Sequence, residues 1–575
     1  EYKLPFDITY NLNVGLNKYD YLNSRFAPDV YEYQLKTNEE KRVVYDGQNT
    51  RHAFKKDKNN LAVTIFNTLS WGKKFNDIHD VKVLAGYSYE SDDKTEFSGK
   101  IEGFLGNELH ELGAGSSNSL ADGTSSRSVL MSYFGRVNYG FKDRYLFEGN
   151  FRYDGSSRFA KGNRWGVFPS FSAGWRLSEE EFMKDIPWIY NLKLRASWGQ
   201  LGNERIDLFR YVDLMNLDAK YSLNGEIQSG AAVTAYNDPN ITWETTTMTN
   251  IGLDASLFNG NLDFSLEYFD KRTSDILRKV TLPQQVGSLD GPIRNIGEVS
   301  NKGFELNLAY RNNIGDFRYE VNGNMTFIKN KIESLKGQTI IDGMFILEEG
   351  KPIDSFYMLH AIGIFQSEEE IKNSPYQTAA TKPGYLKFED VNGDGKITED
   401  DRKICGGVIP KITYGFNINL GYKNFDLAAF FQGVTDVNTY GDMIGATPLW
   451  FGCGLPEKWV TDSWTPERGT SATLPILTTY EGCLNENFRT NDFWLRNSSY
   501  LRLKNLQLSY NVPASFLKNG VIKRLKIFAN AQNLFTFSPM KDFDPEKDLK
   551  ANTFYAYPSV RTYTCLLYTS DAADE

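Results

Sequence analysis

The chain alternates apolar and polar residues over strand-length segments for most of its length. In one such segment aromatic residues and a glycine alternate with polar residues: Phe147, Glu148, Gly149, Asn150, Phe151, Arg152, Tyr153 and Asp154. Successive side chains of a β-strand point to opposite faces of the sheet, so this segment has one apolar and one polar face. The pattern recurs over 304–311, 317–327 and 414–422. It predicts a sheet with apolar surroundings on one side and water on the other.

A transmembrane β-barrel requires this pattern, because lipid covers its outer face and a polar lumen lies inside. The sequence therefore predicts an all-β fold, an antiparallel transmembrane β-barrel, with about 18 strands in this chain. Short connections at 258–261, 313–316 and 423–424 contain residues that tight hairpins use. Long connections run over 277–297, 366–410, 435–497 and 538–558. With the short turns in the periplasm, these long loops are extracellular.

Composition narrows the classes of protein that fit this pattern. No run reaches the roughly 18 apolar residues that a spanning helix needs, and mean hydropathy is −0.46, which excludes a helical membrane protein. Aromatic residues make up 14% of the chain, as the interface belts of a barrel require. A soluble β-sandwich or propeller is the alternative, since it also places aromatics in strands. The net charge of −9 argues against a nucleic-acid partner.

Motifs of enzyme active sites are absent from the sequence. The four histidines are isolated along the chain, and no HExxH, Gly-x-Ser-x-Gly or phosphate-loop pattern occurs. The four cysteines show no CxxC spacing, which argues against a zinc or redox site. Cys453 and Cys483 fall within one predicted loop and are a candidate disulfide in an oxidising compartment. We therefore expect no enzymatic activity and no required cofactor.

The segment 390–401, DVNGDGKITEDD, has the ligand spacing of an EF-hand-type calcium loop. The candidate ligands are Asp390, Asn392, Asp394, the carbonyl of Lys396, Thr398 and Asp401. Position 12 is Asp and not Glu, and its shorter side chain weakens bidentate closure. A structural Ca²⁺ here is expected to bind in the weak extracellular range, with a Kd of about 10⁻⁴–10⁻³ M. The alternative is an acidic Asn/Gly turn without an ion.

Aromatic residues in the long loops are candidates for contact with a ligand or partner. They are Trp450, Phe451, Trp459, Trp464, Phe493 and Trp494. Exposed aromatic rings stack on sugars or anchor a protein partner. The alternative is that these rings pack against one another within the loop or belong to the interface belt.

Motifs in the same order along the chain resemble those of SusC/RagA-type TonB-dependent outer-membrane transporters. Among them are YFGRVNY at 133–139, RYDGSSRF at 152–159, NKGFE at 301–305, SYLRLKN at 499–505, QNLFT at 532–536 and DPE at 544–546. The agreement extends from about residue 80 to residue 564. The resemblance implies a 22-stranded barrel filled by an N-terminal plug, with a preceding box that binds TonB. This chain is expected to hold roughly the last 18 strands, over 1–564, without plug or box.

The resemblance also implies a function and partners. It predicts import of oligosaccharides or peptides across the outer membrane of a Gram-negative bacterium, energised by the TonB complex, with a SusD-like surface lipoprotein as a lid. Two alternatives are a passive porin-like or structural barrel and a secreted, calcium-stabilised carbohydrate-binding β protein. Residues 565–575 break from the strand pattern, and we interpret them as a non-native tail derived from a sequencing adaptor.

Overall fold

The computed structural model describes residues 1–33, 37, 39–43, 51–280, 285, 291–441, 454–477, 487–517, 522, 524–541, 544–546 and 557–570. Seventeen strands in these ranges are assigned to one large antiparallel sheet. The predicted all-β antiparallel fold is thus confirmed, with a strand number close to the predicted one. No helix among the described residues is long and apolar enough to cross a membrane.

The strands of the large sheet are β1 (Tyr2–Leu4), β2 (Ile8–Ala27), β5 (His52–Phe75), β6 (His79–Glu102), β7 (Ser117–Phe141), β8 (Tyr145–Ser156), β9 (Trp165–Arg176), β10 (Ile189–Asn203), β13 (Glu244–Leu257), β14 (Leu262–Lys279), β15 (Ile293–Ile314), β16 (Phe317–Ser334), β23 (Ile412–Tyr422), β24 (Phe425–Thr435), β27 (Tyr500–Asn511), β28 (Arg524–Phe537) and β29 (Thr562–Ser570).

Shorter strands lie in the connections. They are β3 (Val30–Tyr33), β4 (Glu40–Val43), β11 (Leu214–Leu223), β12 (Glu226–Ala235), β17 (Ile340–Asp342), β18 (Phe345–Leu347), β19 (Ser355–Leu359), β20 (Ala361–Ile364), β21 (Leu386–Phe388), β22 (Arg402–Gly407), β25 (Asn438–Tyr440) and β26 (Leu495–Asn497). The described residues form two short α-helices, α1 (Glu368–Lys372) and α2 (Glu457–Asp462).

The chain divides into two compact units. The first comprises Glu1–Ala173, Gly199–Thr246 and Asp275–Asn295, and the second comprises Gly174–Trp198, Thr247–Ser274 and Ile296–Glu575. In the first unit β1, β2, β5, β6, β7 and β8 pair in that order, each antiparallel to the next. In the second unit β15, β16, β23, β24, β27, β28 and β29 do the same.

Tight hairpin turns alternate with long connections along these ladders. Lys142 and Asp143, between β7 and β8, both have φ of 53°, and Asn76 and Asp77, between β5 and β6, have φ of 50° and 56°. Positive φ at both central residues is the geometry of the type I′ turn, whose twist matches that of the flanking strands. The predicted short connections at 313–316 and 423–424 are also confirmed as tight turns, each with positive φ at one residue, Gly315 at 60° and Lys423 at 51°.

The predicted alternation between the two faces of the sheet is confirmed in β8. Phe147 and Phe151 are 47% and 50% exposed, whereas Glu148 and Asn150 on the other face are half-buried. A water-soluble sheet shows the opposite arrangement, because burying its apolar face stabilises it. The exposed aromatic face therefore indicates apolar surroundings.

The last strand differs from its prediction. The sequence pattern places a break from strand structure after Thr564, but β29 continues to Ser570 and pairs with β28 over its whole length. The consecutive residues Leu566, Leu567 and Tyr568 are apolar or aromatic on both faces of the strand and are all exposed, without the alternation of the other strands. The interpretation of 565–575 as an adaptor-derived tail stays a prediction, and 571–575 lie outside the described residues.

Candidate functional site

The polar face of the first unit carries a ladder of charged and amide side chains. On β7 and β8, Arg136 Nε donates to Asn150 Oδ1 at 2.7 Å, and Asn150 Nδ2 donates to Glu148 Oε1 at 2.8 Å. Arg152 pairs with Asp154 on the same strand, with NH2 and Oδ1 3.0 Å apart. These groups partner one another across neighbouring positions, so the face holds both signs of charge.

The second unit has a polar cavity of about 520 Å³ on its strands. Arg318 NH2 lies 2.9 Å from Asp426 Oδ1, and Asn511 Nδ2 donates to the second oxygen of Asp426 at 2.9 Å. Glu320 and Asn419, which are opposite each other in the β16–β23 register, complete this wall. A wall with both charges and amides can form many weak hydrogen bonds to a polar ligand or to a protein segment. It is not suited to select a ligand by the sign of its charge.

The described residues of the long connections, 335–411, 436–441, 454–477 and 487–499, fold together into what we call the loop domain. One apolar cluster consists of Trp459, Leu474, Phe488 and Trp494. A second consists of Leu359, Leu386, Phe388 and Ile397, and Phe493 packs against both clusters. A third, Phe356, Met358 and Val408, contacts Tyr440 and Leu495. Because residues from both connections share these clusters, the loop domain has a hydrophobic core of its own.

Three of the loop tryptophans are core residues and not exposed ligand contacts. Trp459, Trp464 and Trp494 are only 1%, 6% and 2% exposed. Trp494 Nε1 donates to the carbonyl of Asn487 at 2.7 Å, and the Trp464 ring nitrogen donates to Gln366 at 3.0 Å. For these three residues the alternative of packing within the loop is therefore confirmed. Trp450 and Phe451 lie outside the described residues, as do Cys453 and Cys483 of the candidate disulfide.

The candidate calcium loop forms a compact turn closed by Asp401. The Asp401 carboxylate is fully buried and accepts the backbone N–H groups of Val391, Asn392 and Thr398, at 3.0, 3.3 and 2.7 Å. Burial raises the pKa of Asp401, but these hydrogen bonds outweigh burial and leave the pKa below its ordinary value. Ile397, at loop position 8, inserts into the loop-domain core. Asp401 therefore anchors the loop whether or not an ion binds.

The other predicted ligands lie on the same turn and also accept backbone hydrogen bonds. Asp390 accepts from Gly393 and Gly395, Asn392 from Asp394, Asp394 from Lys396 and Thr398 from Asp400, at 2.7 to 3.2 Å. Across the part of the chain that the structure describes, no three His, Cys, Asp or Glu side chains converge closely enough to hold a metal ion. Calcium binding at Asp390, Asn392, Asp394, Lys396, Thr398 and Asp401 stays a prediction.

Calorimetry on the full-length protein tests this prediction. Millimolar CaCl₂ is expected to bind with a Kd of about 10⁻⁴–10⁻³ M, and Asp394→Asn is expected to weaken binding because it removes a charged ligand. Asp400→Asn is the matched control, since this neighbouring carboxylate is not a predicted ligand. If millimolar calcium produces no heat with the unsubstituted protein, the loop is an acidic turn only.

A buried ion-pair cluster fixes the connection between β28 and β29 to β27. Arg502 on β27 is 3% exposed, and its guanidinium binds Asp544, with NH2 and Oδ1 2.5 Å apart, and Glu546. Lys504 Nζ lies 2.7 Å from Glu546 Oε1. Asp544 Oδ2 also accepts the backbone N–H of Ser559 at 2.7 Å. Asp544 thus joins the strand to both the first and the last part of the connection.

The charge state of Asp544 follows from these contacts. Burial raises the pKa of Asp544, but hydrogen bonds from Arg502 and Ser559 outweigh burial and hold the pKa well below its ordinary value. The carboxylate is therefore ionised throughout the physiological pH range, and the cluster is a permanent ion-pair network.

Comparison with known proteins identifies the family. The family model described as "TonB dependent receptor-like, beta-barrel" matches residues 1–534. The chain belongs to the TonB-dependent receptor family. TonB-dependent receptor P3 of Formosa agariphila is 33% identical over 529 residues, which cover 87% of this chain and 51% of that receptor. TonB-dependent receptor SusC of Bacteroides thetaiotaomicron is 31% identical over 452 residues, which cover 76% of this chain and 43% of SusC.

A solved structure shares the fold of this TonB-dependent receptor chain. The RagAB peptide transporter matches with a TM-score of 0.80 at 22% identity, over 98% of this chain and 60% of that one. The similarity to SusC and to RagAB confirms the predicted SusC/RagA type. The chain spans about half the length of the curated relatives it matches.

Two pairings that involve the loops of this receptor chain were not predicted from its sequence. One is the ion-pair cluster, although the motifs SYLRLKN and DPE that supply Arg502 and Asp544 were recognised separately. The other is the pairing of His360 with Asp492, with Nδ1 and Oδ2 2.5 Å apart, in the loop domain. Their signal in the sequence is weak, because the partners are 42 and 132 residues apart.

Proposed function

We propose that this chain is the barrel part of an outer-membrane transporter that imports oligomeric nutrients, either glycans or peptides. Transport would be energised through TonB, and a SusD-like surface lipoprotein would cover the exterior loops. The chain's part in this process is selective passage along a polar wall, with no bond made or broken.

The observation that carries this proposal is the inverted polarity of the sheet. Aromatic side chains such as Phe147 and Phe151 are half-exposed, while the charged and amide groups beside them hydrogen-bond along the opposite face. Lipid on the aromatic side and an aqueous path on the polar side satisfy both faces at once. A secreted β protein would bury the aromatic face between sheets, so the exposure argues against that alternative.

Family membership supports the choice of active transport over a passive barrel. The relatives that the chain matches are named TonB-dependent receptors, and the RagAB structure is of a peptide transporter. Glycans and peptides both present many hydroxyl, amide and carbonyl groups, which mixed polar surfaces such as the Arg318–Asp426 wall can bind. The polar surface therefore fits oligomeric polar nutrients of either class, and the uptake experiment distinguishes glycans from peptides.

Uptake by the full-length protein in its native outer membrane tests the function. Cells that express it are expected to import a labelled oligosaccharide or a labelled peptide mixture, and uptake should stop when TonB is deleted. Uptake that continues at the same rate without TonB would favour the passive barrel. Co-purification of a surface lipoprotein with the full-length protein checks the proposed partner.

Paired substitutions on β8 test which face meets lipid. Phe151→Arg is expected to destabilise the barrel by about 2–4 kcal/mol, because an arginine near the bilayer midplane is costly on the lipid side. Asn150→Arg, one residue earlier, places the same charge on the polar face, where it loses the hydrogen bonds to Arg136 and Glu148 but stays in water, so its effect should be smaller, about 1 kcal/mol. The measurement is urea unfolding in lipid vesicles, followed by tryptophan fluorescence. Equal effects at the two positions would contradict the proposed orientation.

A further inference from the structure

Strand β7 extends far beyond its neighbour β8. The β7–β8 ladder ends where Leu130 pairs with Ser156, whereas the β6–β7 ladder continues in unbroken register to the pair of Lys100 and Leu120. β7 has 25 residues and β8 has 12. In the part of the chain that the structure describes, no strand continues the β8 ladder along the outer half of β7. We call Leu120–Ser128 the open edge.

The hydrogen bonds at the end of β8 show which groups face the open edge. Val129 lies at that point, where its carbonyl accepts the N–H of Ser157 at 2.9 Å and its own N–H donates to Ser157 Oγ at 2.9 Å. Val129 therefore directs both main-chain groups away from β6. In an antiparallel ladder every second residue does the same. The residues that follow this rule along the open edge are Arg127, Ser125, Gly123 and Ala121.

One hydrogen bond within the open edge supports this assignment independently. The Gly123 N–H is bonded by the side chain of the adjacent Asp122 at 2.9 Å, as expected for a donor that does not reach β6. Residues 117–125 are exposed without interruption, so both faces and the edge of this segment are open to solvent.

Most features that prevent strands from pairing with other chains are absent from the open edge. Natural edge strands are usually protected by charged side chains, especially lysine, by proline, by a bulge or by very short length. The open edge has no lysine or proline, its register with β6 contains no bulge, and most of its side chains are small. Its two charged side chains have partners within this chain, because Asp122 accepts the Gly123 N–H and Arg127 pairs with Asp93 on β6. The edge can therefore pair with a further strand.

We propose that the open edge binds an extended segment of the surface lipoprotein partner, which adds to β7 as a further strand. This inference rests on the proposed function for the identity of the partner. The alternating N–H and C=O groups specify a polypeptide backbone, because only another strand repeats donors and acceptors at that spacing. The added strand would continue the line of β8 beyond Ser156, so it extends a ladder that already exists.

A partner protein fits the open edge better than a transported nutrient. With both faces exposed, the edge offers no pocket for side chains, so its selectivity and affinity come from the main chain alone. Such binding becomes stable when the strand belongs to a larger partner that is held nearby by other contacts. The edge also lies at the end of β7 that carries the long 103–116 connection, which is the exterior side in the proposed function.

Amide hydrogen exchange of the full-length protein, purified with its lipoprotein and again after the lipoprotein is removed, tests this interaction. Exchange at 121–127 is expected to be slower in the complex. Ser125→Pro removes one outward N–H and leaves the β6 ladder intact, and it should weaken lipoprotein binding about tenfold. Ser125→Ala, which keeps the N–H, is the matched control and should bind like the unsubstituted protein. Ala121→Pro repeats the test at a second outward position.

The possible outcomes separate this inference from the proposed function. If the lipoprotein co-purifies but exchange at 121–127 and binding of both proline variants are unchanged, the edge is not its docking surface and the transport proposal stands. If no lipoprotein co-purifies, both the partner and this inference are wrong. If the proline variants instead lose a dimer of the receptor chain, the occupant is a second copy, which also overturns the inference. Heat-modifiable gel mobility confirms that each variant is folded.

Discussion

Replacing Arg502 by methionine in the full-length protein is expected to lower the free energy of unfolding by about 3–5 kcal/mol. Arg502 is buried and is the shared partner of Asp544 and Glu546. Without the guanidinium, a buried carboxylate keeps its charge with only hydrogen bonds to compensate it, and that cost dominates. Urea unfolding in lipid vesicles measures the effect.

Two control variants show whether the loss of stability comes from breaking the buried network or from removing an arginine at any position. Arg318→Met removes a similar pair with Asp426, but both partners are partly exposed, so the expected effect is about 0–1 kcal/mol. The double variant Arg502→Met, Asp544→Asn removes the stranded charge as well and should recover part of the lost stability. Equal effects of Arg502→Met and Arg318→Met would show that burial of the cluster adds nothing.

The lowered pKa of Asp544 also gives this cluster a pH dependence. A carboxyl group whose pKa is lower in the folded than in the unfolded protein stabilises the fold above the unfolded value, which is about 3.9 for Asp. That contribution is lost as the pH falls from there toward the lower folded pKa. The stability difference between the unsubstituted protein and Asp544→Asn should therefore be constant near neutral pH and shrink only in strong acid.

The sheet was predictable because its signal is local. Alternation over 147–154 follows from the geometry of a single strand, and the turn at 313–316 carries Gly315, which tolerates its positive φ. Strand ends were less predictable. The two halves of β7 differ in composition, since 129–141 alternate apolar and polar residues and 120–128 are mostly small and polar, but this difference does not show that the second half continues as an unpaired strand, because pairing depends on where β8 stops.

The loop domain shows the limit of such reasoning. Trp459 and Trp494 are aromatic residues in a long loop, which is also what a ligand-binding surface would contain. Only their packing against residues distant in the sequence shows that they belong to the core. The same holds for Arg502, whose partner Asp544 is 42 residues away and whose burial cannot be inferred from either motif. The calcium spacing at 390–401 was visible because all its residues lie on one turn, yet spacing alone does not decide whether an ion binds.

Replacing Trp494 by alanine is expected to destabilise the loop domain by about 3–5 kcal/mol. Trp494 is 2% exposed, its ring stacks on Phe488 with centroids 4.8 Å apart, and its Nε1 holds the carbonyl of Asn487. Removing the ring leaves a cavity and takes away one of the two hydrogen bonds that the buried Asn487 carbonyl accepts, the other coming from Asn491. Since the barrel strands do not depend on this contact, we expect the loop domain to open while the barrel persists.

Limited trypsin digestion of the full-length protein in vesicles distinguishes these two parts. Trp494→Ala should be cleaved faster after Arg489 and Arg496, which flank the lost ring, while gel mobility still shows a folded barrel. Trp188→Ala is the matched control, because Trp188 is 49% exposed and its removal leaves no cavity. If the trypsin sites in Trp494→Ala stay as protected as in the control, then the loop domain does not depend on its aromatic core. In that case the clusters that join its two connections would not explain how the loops are held.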